Sequence, residues 1–182
     1  MLLYHSYLLR RSRLGALYRQ HLLYPILTRQ LQGRVLDVGC GIGDFLRFRP
    51  NTVGVDINPH NVEFCKRAGH EAHLAPGNFP FPDQAFDGVV LDNVLEHIID
   101  PTDILSELRR VLKPGGTLIV GVPGTKGYAS DPDHKCFYDQ ALLKSVVEAA
   151  GFDQRRLLRM PLPLPFIEAL LAQYCLYGVF EK

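Results

Sequence analysis

The stretch Val35-Leu36-Asp37-Val38-Gly39-Cys40-Gly41-Ile42-Gly43 constrains the fold of this chain more than any other. An apolar run carrying one carboxylate breaks into three glycines at alternate positions. The run reads as a buried parallel strand, because a strand covered on both faces shows no polar alternation. The glycines read as a tight turn that lets a ligand approach bare main chain. A second apolar run, Val53-Gly54-Val55-Asp56, also ends in an acid. An acid at the tip of the second strand of a doubly wound sheet can accept from both hydroxyls of a ribose. Together the two runs imply a domain that holds a nucleoside.

Two nucleoside classes compete. A dinucleotide fingerprint is G-x-G-x-x-G, with a pyrophosphate facing the following helix. Counting from Gly39, the third glycine's place is taken by Asp44, which would set negative charge against phosphates. Asp37 and Asp44 instead suit a ligand that carries positive charge. S-adenosylmethionine has an ammonium and a sulfonium beside one carboxylate, and no phosphate. The loop resembles the first motif of the class I S-adenosylmethionine-dependent methyltransferases, an acid followed by G-x-G-x-G. Three further blocks resemble the same family in order and spacing. They are Pro80-Phe81-Pro82-Asp83-Gln84-Ala85-Phe86-Asp87-Gly88-Val89-Val90-Leu91, Asp92-Asn93-Val94-Leu95-Glu96-His97, and Leu108-Arg109-Arg110-Val111-Leu112-Lys113-Pro114-Gly115-Gly116-Thr117-Leu118. The resemblance covers Gly33 to Phe152.

The 182 residues suffice for one domain with a full core. A net charge of +1 exerts no global pull toward nucleic acid or acidic membranes. Cys40, Cys65, Cys136 and Cys175 form no C-x-x-C pair, which points to reduced thiols in a cytoplasmic protein. The 7 histidines show no H-x-x-x-H pair, so no metal is expected. Arginines interrupt the N-terminal apolar residues before a signal core forms, so no leader is expected.

Local signals give the elements. Asn58 as cap and Pro59 in the first turn start a helix that Gly69 closes. Glu71 to Ala75 is the expected third strand. A helix from Asp100-Pro101 carries the stripe Ile104, Leu105, Leu108, Val111 and Leu112. Pro114-Gly115-Gly116 stops it and turns the chain into the strand Thr117 to Val122. Asp139 caps a helix closed by Gly151, and Phe152 to Met160 and Tyr174 to Phe180 read as final strands. Alternating strands and helices imply a mostly parallel sheet with helices on both faces. The resemblance implies a Rossmann-like, doubly wound, seven-stranded sheet with an antiparallel last strand beside the fifth.

Two segments fall outside that pattern. Residues 1–32 carry Leu14, Leu17, His21 and Leu22 at helical spacing near Arg10, Arg11, Arg13 and Arg19. They read as an amphipathic helix packed on the domain (33–182) with a solvated basic face, as a lid over the substrate, or as a surface helix meeting lipid headgroups. Pro25 should break or kink it. The run from Met160 to Phe166, with its alternating prolines, followed by Ile167 to Leu171, reads as a rigid loop and short helix. Its three prolines, Glu168 and Gln173 argue against a membrane span.

The resemblance also assigns roles. The backbone of Gly39, Cys40, Gly41 and Gly43 would lie along the methionine portion of the donor, with Asp37 toward its ammonium. Asp56 would bind the ribose, Ile57 one face of the adenine and Phe79 the other, and Asn93 would lie near the methionine end. Relatives often carry an aspartate that accepts from the adenine amino group. Here that position is Ala75, and Asn78 offers a carbonyl instead.

Methyl transfer is largely in-line positioning, with a base required only when the acceptor must lose a proton. His97 and His134 are the candidate bases, since imidazole titrates near neutrality, and the other reading of each, which comes first, is a structural hydrogen-bonding histidine. Tyr128 and Tyr138 are candidate pocket walls. No basic stripe with interleaved aromatics favours nucleic acid. No Asn-Pro-Pro-Tyr-like motif follows the fourth strand, so oxygen or carbon atoms of a small-molecule or lipid-linked acceptor are favoured. The alternative is a non-catalytic S-adenosylmethionine-binding regulator or scaffold.

Overall fold

The computed structural model describes residues 2–9, 12–162, 164, 171 and 173–182. Its centre is β1 (Val35–Val38), whose four residues are all buried. Parallel neighbours flank it on both sides, β2 (Thr52–Asp56) and β4 (Phe86–Asp92). Outside β2 lies the short β3 (Ala72–Leu74), and outside β4 lies β5 (Leu112–Pro123), both parallel. The strand β7 (Cys175–Glu181) inserts antiparallel between β5 and β6 (Asp153–Met160). The order is therefore β3-β2-β1-β4-β5-β7-β6, the seven-stranded arrangement expected. Strand order reverses between β1 and β4, so a crevice opens outside their carboxyl ends.

Helices cover both faces. Asn58 accepts from the His60 amide at 3.1 Å to start α5 (Pro59–Arg67). A later helix follows the same logic: Asp139 accepts from the Leu142 amide at 2.8 Å to start α8 (Gln140–Ala149). Between them lies α6 (Thr102–Val111), where Asp100 takes the Thr102 amide and hydroxyl. On one face of the sheet, Leu105, Leu108 and Val111 of α6 join Leu143 and Val147 of α8 against Leu36, Val89, Leu118 and Phe180. On the other face, Leu23, Tyr24, Leu27 and Leu31 pack against Val35, Val90, Ile119, Tyr177 and Val179.

That second layer corrects the expected packing of residues 1–32. They form α1 (Leu2–Leu9), α2 (Arg13–Tyr18), a π-helical turn (Arg19–Leu23) and α3 (Tyr24–Thr28), and Pro25 sits in the first turn of α3. Leu14, Leu17 and Leu22 are 79%, 51% and 40% exposed, whereas Leu23 and Leu27 are buried. The π-helical turn adds a residue to the repeat and rotates the apolar face, so the stripe read at ordinary α-helical spacing points outward. A second correction concerns Pro114-Gly115-Gly116. The helix does end there, but the tripeptide lies inside β5, which already pairs at Leu112 with Phe86 before a register shift. The expected loop and helix of residues 160–171 fall mostly outside the described residues, since 163 and 165–170 are not among them.

Candidate functional site

The glycine loop follows β1 and enters α4 (Asp44–Phe48) through Gly43. Gly39, Gly41 and Gly43 hold φ of 74°, 55° and 77°, the left-handed region where a Cβ is strained. Space is restricted as well: a Cβ on Gly39 would meet the Val94 side chain, and one on Gly43 would lie 3.0 Å from Cys65 Sγ. The loop's amides are largely used internally. Gly39 and Cys40 donate to the Val55 carbonyl at 2.8 and 3.1 Å, and Gly43 donates to that of Cys40 at 2.9 Å. The loop therefore offers bare Cα surface more than amide donors. Cys40 faces inward: it is buried, and its thiol packs beneath Gly54.

Asp56 is fixed by its neighbours. Its carboxylate accepts from the Gly41 amide at 2.8 Å, the Asn58 amide at 2.7 Å and Asn61 Nδ2 at 3.2 Å. Burial pushes its carboxyl up against those three donors. A carboxylate has about four acceptor sites, so one remains for a ribose hydroxyl. Asp37 is 5% exposed, and burial first, then Asp92, Cys65, Asp56 and Asp44, hold its carboxyl well above the usual range. Beside Asp92 and Arg19, the Tyr18 hydroxyl is buried with no hydrogen-bond partner among the described residues. Crowded carboxylates and an orphan hydroxyl fit the ammonium and carboxylate of a methionine group, and they do not fit a phosphate. Arg19 lies 3.4 Å from Asp44 and draws α2 toward the loop. Further out, Leu8 of α1 comes within 3.2 Å of where a Gly41 Cβ would stand, and His5 Nδ1 lies 2.8 Å from Asn61 Oδ1.

The adenine-side expectations divide. Ile57 is 62% exposed and offers a free apolar face next to Asp56. Asn78 is exposed and Ala75 buried. Phe79 is a correction: it lies in the main core, 6% exposed, with its amide donating to Glu107 at 2.9 Å. The loop from β3 to β4 folds back onto α6 and takes the ring into the protein. Asn93 adopts φ of 54° and its Nδ2 donates to Asp92 at 2.8 Å, which holds it at the tip of β4 beside the acids.

The two candidate bases meet. The chain leaves β4 into a 3₁₀ turn (Leu95–His97), and the segment after α7 (Thr125–Tyr128) folds back over it. The Glu96 carbonyl accepts from the amides of Lys135 and Cys136 at 2.7 and 3.1 Å, which pins that segment down. The rings of His97 and His134 lie 4.7 Å apart, and Tyr128 stacks on His134 at 5.3 Å. Tyr138 is buried in the core and is not a pocket wall. Beneath the histidines sits Glu96, 1% exposed, whose carboxyl burial pushes up to about 8. Sequence reasoning quoted Glu96 without giving it a role, and also missed Tyr18, because both acquire their surroundings from segments distant in the chain. The signal for Glu96 was its place next to a candidate base.

Residues 36–120 match the family described as "Methyltransferase domain". A protein of Mycolicibacterium smegmatis, "Probable S-adenosylmethionine-dependent methyltransferase", is 30% identical over 152 residues, covering 74% of this chain and 58% of the relative. A "Fatty-acid O-methyltransferase" of the same organism is 41% identical over 95 residues, covering 46% of this chain and 34% of the relative. The chain thus spans about half the length, or less, of such curated relatives. Among solved structures, an S-adenosylmethionine-dependent methyltransferase of Thermotoga maritima superposes with a TM-score of 0.73 at 19% identity over 98% of both chains, a likeness of fold. With the matched motif, the strand order and the acid-lined glycine loop in agreement, residues 36–120 form a methyltransferase domain, set in the fold of the S-adenosylmethionine-dependent methyltransferases.

Proposed function

We propose that this chain transfers the methyl group of S-adenosylmethionine to an oxygen or carbon atom of a small or lipid-linked acceptor. One observation carries the reading: Gly39 packs on Val94, so the acid-lined glycine loop adjoins the turn that bears Glu96 and His97. The donor, when bound, supplies a methyl group on a positively charged sulfur and so needs little further activation. Asp37 receives the ammonium, Asp56 the ribose, and Ile57 one face of the adenine. His97 and His134 are the groups that take a proton from the acceptor, each ring held through Nδ1 by a main-chain carbonyl, with Glu96 buried beneath them. The fatty-acid O-methyltransferase among the relatives supports an oxygen acceptor of lipid character. The net charge of +1 argues against nucleic acid. No helix of the described residues is long and apolar enough to cross a membrane. We read the protein as cytoplasmic, with α2 available for peripheral contact through Leu14 and Leu17.

Calorimetric titration with S-adenosylmethionine, then radiolabelled methyl transfer to a panel of phenols, quinols and fatty acids, tests the proposal. Heat of binding and label in a hydroxyl- or carbon-methylated product are expected. No heat refutes the donor assignment, and binding without transfer to any member refutes turnover on this class.

A further inference from the structure

We propose that Glu96, His97 and His134 form a binding site for a divalent transition-metal ion, with an open position that takes a hydroxyl oxygen of the methyl acceptor. The three side chains offer one ligand atom each, all within 4.8 Å of one another. Two imidazoles and a carboxylate are a donor set that zinc and its first-row neighbours accept, with a position left for water or substrate.

Three details favour an ion over a simple hydrogen-bonded cluster. Neither oxygen of Glu96 has a hydrogen-bond partner among the described residues, although the residue is 1% exposed. A buried carboxylate left this way is costly unless a cation or donor reaches it. His134 Nε2 lies 3.8 Å from Glu96 Oε1, too far for a hydrogen bond. The imidazoles are also held as metal ligands are held. His134 Nδ1 lies 2.8 Å from the Tyr128 carbonyl and His97 Nδ1 lies 3.3 Å from that of Asp133. Each pairing commits Nδ1 as donor and leaves Nε2 as the lone-pair nitrogen, the outer-shell arrangement that orients ligating histidines. A tetrahedral ion with bonds of about 2.0–2.1 Å holds its ligand atoms roughly 3.3 Å apart, so the three side chains draw together by at most about 1.5 Å to meet it.

The site deepens the methyl-transfer reading and, for its substrate role, rests on it. With the ion bound, His97 and His134 serve as its ligands in place of bases, and a hydroxyl on the ion loses its proton to solvent more readily. Its oxygen then forms the new bond to carbon while the carbon–sulfur bond breaks and its electron pair stays on sulfur. No oxidant or reductant enters.

The full chain, stripped with a chelator, is titrated with Co²⁺ by visible absorption and with Zn²⁺ by calorimetry, in the absence of the methyl donor. One equivalent is expected to bind with no thiolate charge-transfer band. Glu96→Gln, which keeps the side chain's shape, and His97→Ala, on the half-exposed ring, should each weaken binding by about tenfold or more. Both should keep wild-type circular dichroism and affinity for S-adenosylmethionine. Failure to bind one equivalent, affinity unchanged in both variants, or a thiolate band overturns the site. Metal binding whose removal leaves turnover of a hydroxyl acceptor unchanged overturns the substrate role. Loss of donor binding in the wild type would instead sink the methyltransferase reading and leave the metal result standing.

Discussion

The two halves of the crevice are built by opposite means. On the donor side, β1, the glycine loop and the tip of β2 are neighbours in the chain, and Asp56 closes the unit by binding Gly41, Asn58 and Asn61. On the acceptor side, Glu96 and His97 from one turn meet His134 from a segment beyond β5, held by two amides on one carbonyl. The donor half is thus fixed by local backbone geometry. The acceptor half exists only once distant segments have docked, so evolution or engineering can alter it without disturbing the other.

The largest expected effect probes that division directly. His134→Ala should lower turnover about a hundred- to ten-thousand-fold, while calorimetry shows donor affinity unchanged. Parallel loss of donor affinity would mean the halves are coupled. Next in size, Leu27→Ala should cost about 2–5 kcal/mol in urea unfolding, because the residue is fully buried against the sheet. A loss below 1 kcal/mol would show that α3 is an appendage instead of a layer of the core.

Asp37→Asn sharpens the donor side with two opposite signs. Donor affinity should fall by about 1.5–3 kcal/mol through loss of a charge-assisted contact, as read by calorimetry. Stability of the free protein should rise near neutrality. Burial raises the Asp37 carboxyl, so its contribution to folding is fully present below the ordinary carboxylate range. That contribution is lost as pH rises through the raised value. The variant lacks this dependence, and its advantage in urea unfolding should therefore grow from about pH 4 to pH 7. Equal curves at both would remove the claim that Asp37 is strained by its neighbours. The smallest effect belongs to Leu14→Ser, expected within about 0.5 kcal/mol of wild type because the side chain is 79% exposed.

Much of this was legible in the sequence where the determinants are local. The glycine loop, the caps at Asn58 and Asp139 and the acid at Asp56 each announce themselves within a few residues. Legibility ends where geometry depends on long-range closure. Phe79 was read as a wall of the adenine site, but the chain between β3 and β4 turns it into the core against α6. Leu14 and Leu17 were read as the packed stripe, but the π-helical turn moved the buried face to Leu23 and Leu27. Spacing of histidines in the chain gave no hint of the Glu96, His97 and His134 group, because the fold assembles it from residues separated by a whole strand.

The antiparallel insertion of β7 carries a consequence for how the chain is assembled. β6 is synthesised before β7 yet lies outside it, so it has no strand to pair with when it first emerges. Until β7 arrives, β5 presents an open row of amides and carbonyls along a run that includes Leu118, Ile119 and Val120. Such an edge is a template for another chain. The nascent protein is therefore most prone to self-association in the interval between the emergence of β5 and the insertion of β7, a window that contacts of such long sequence separation tend to prolong.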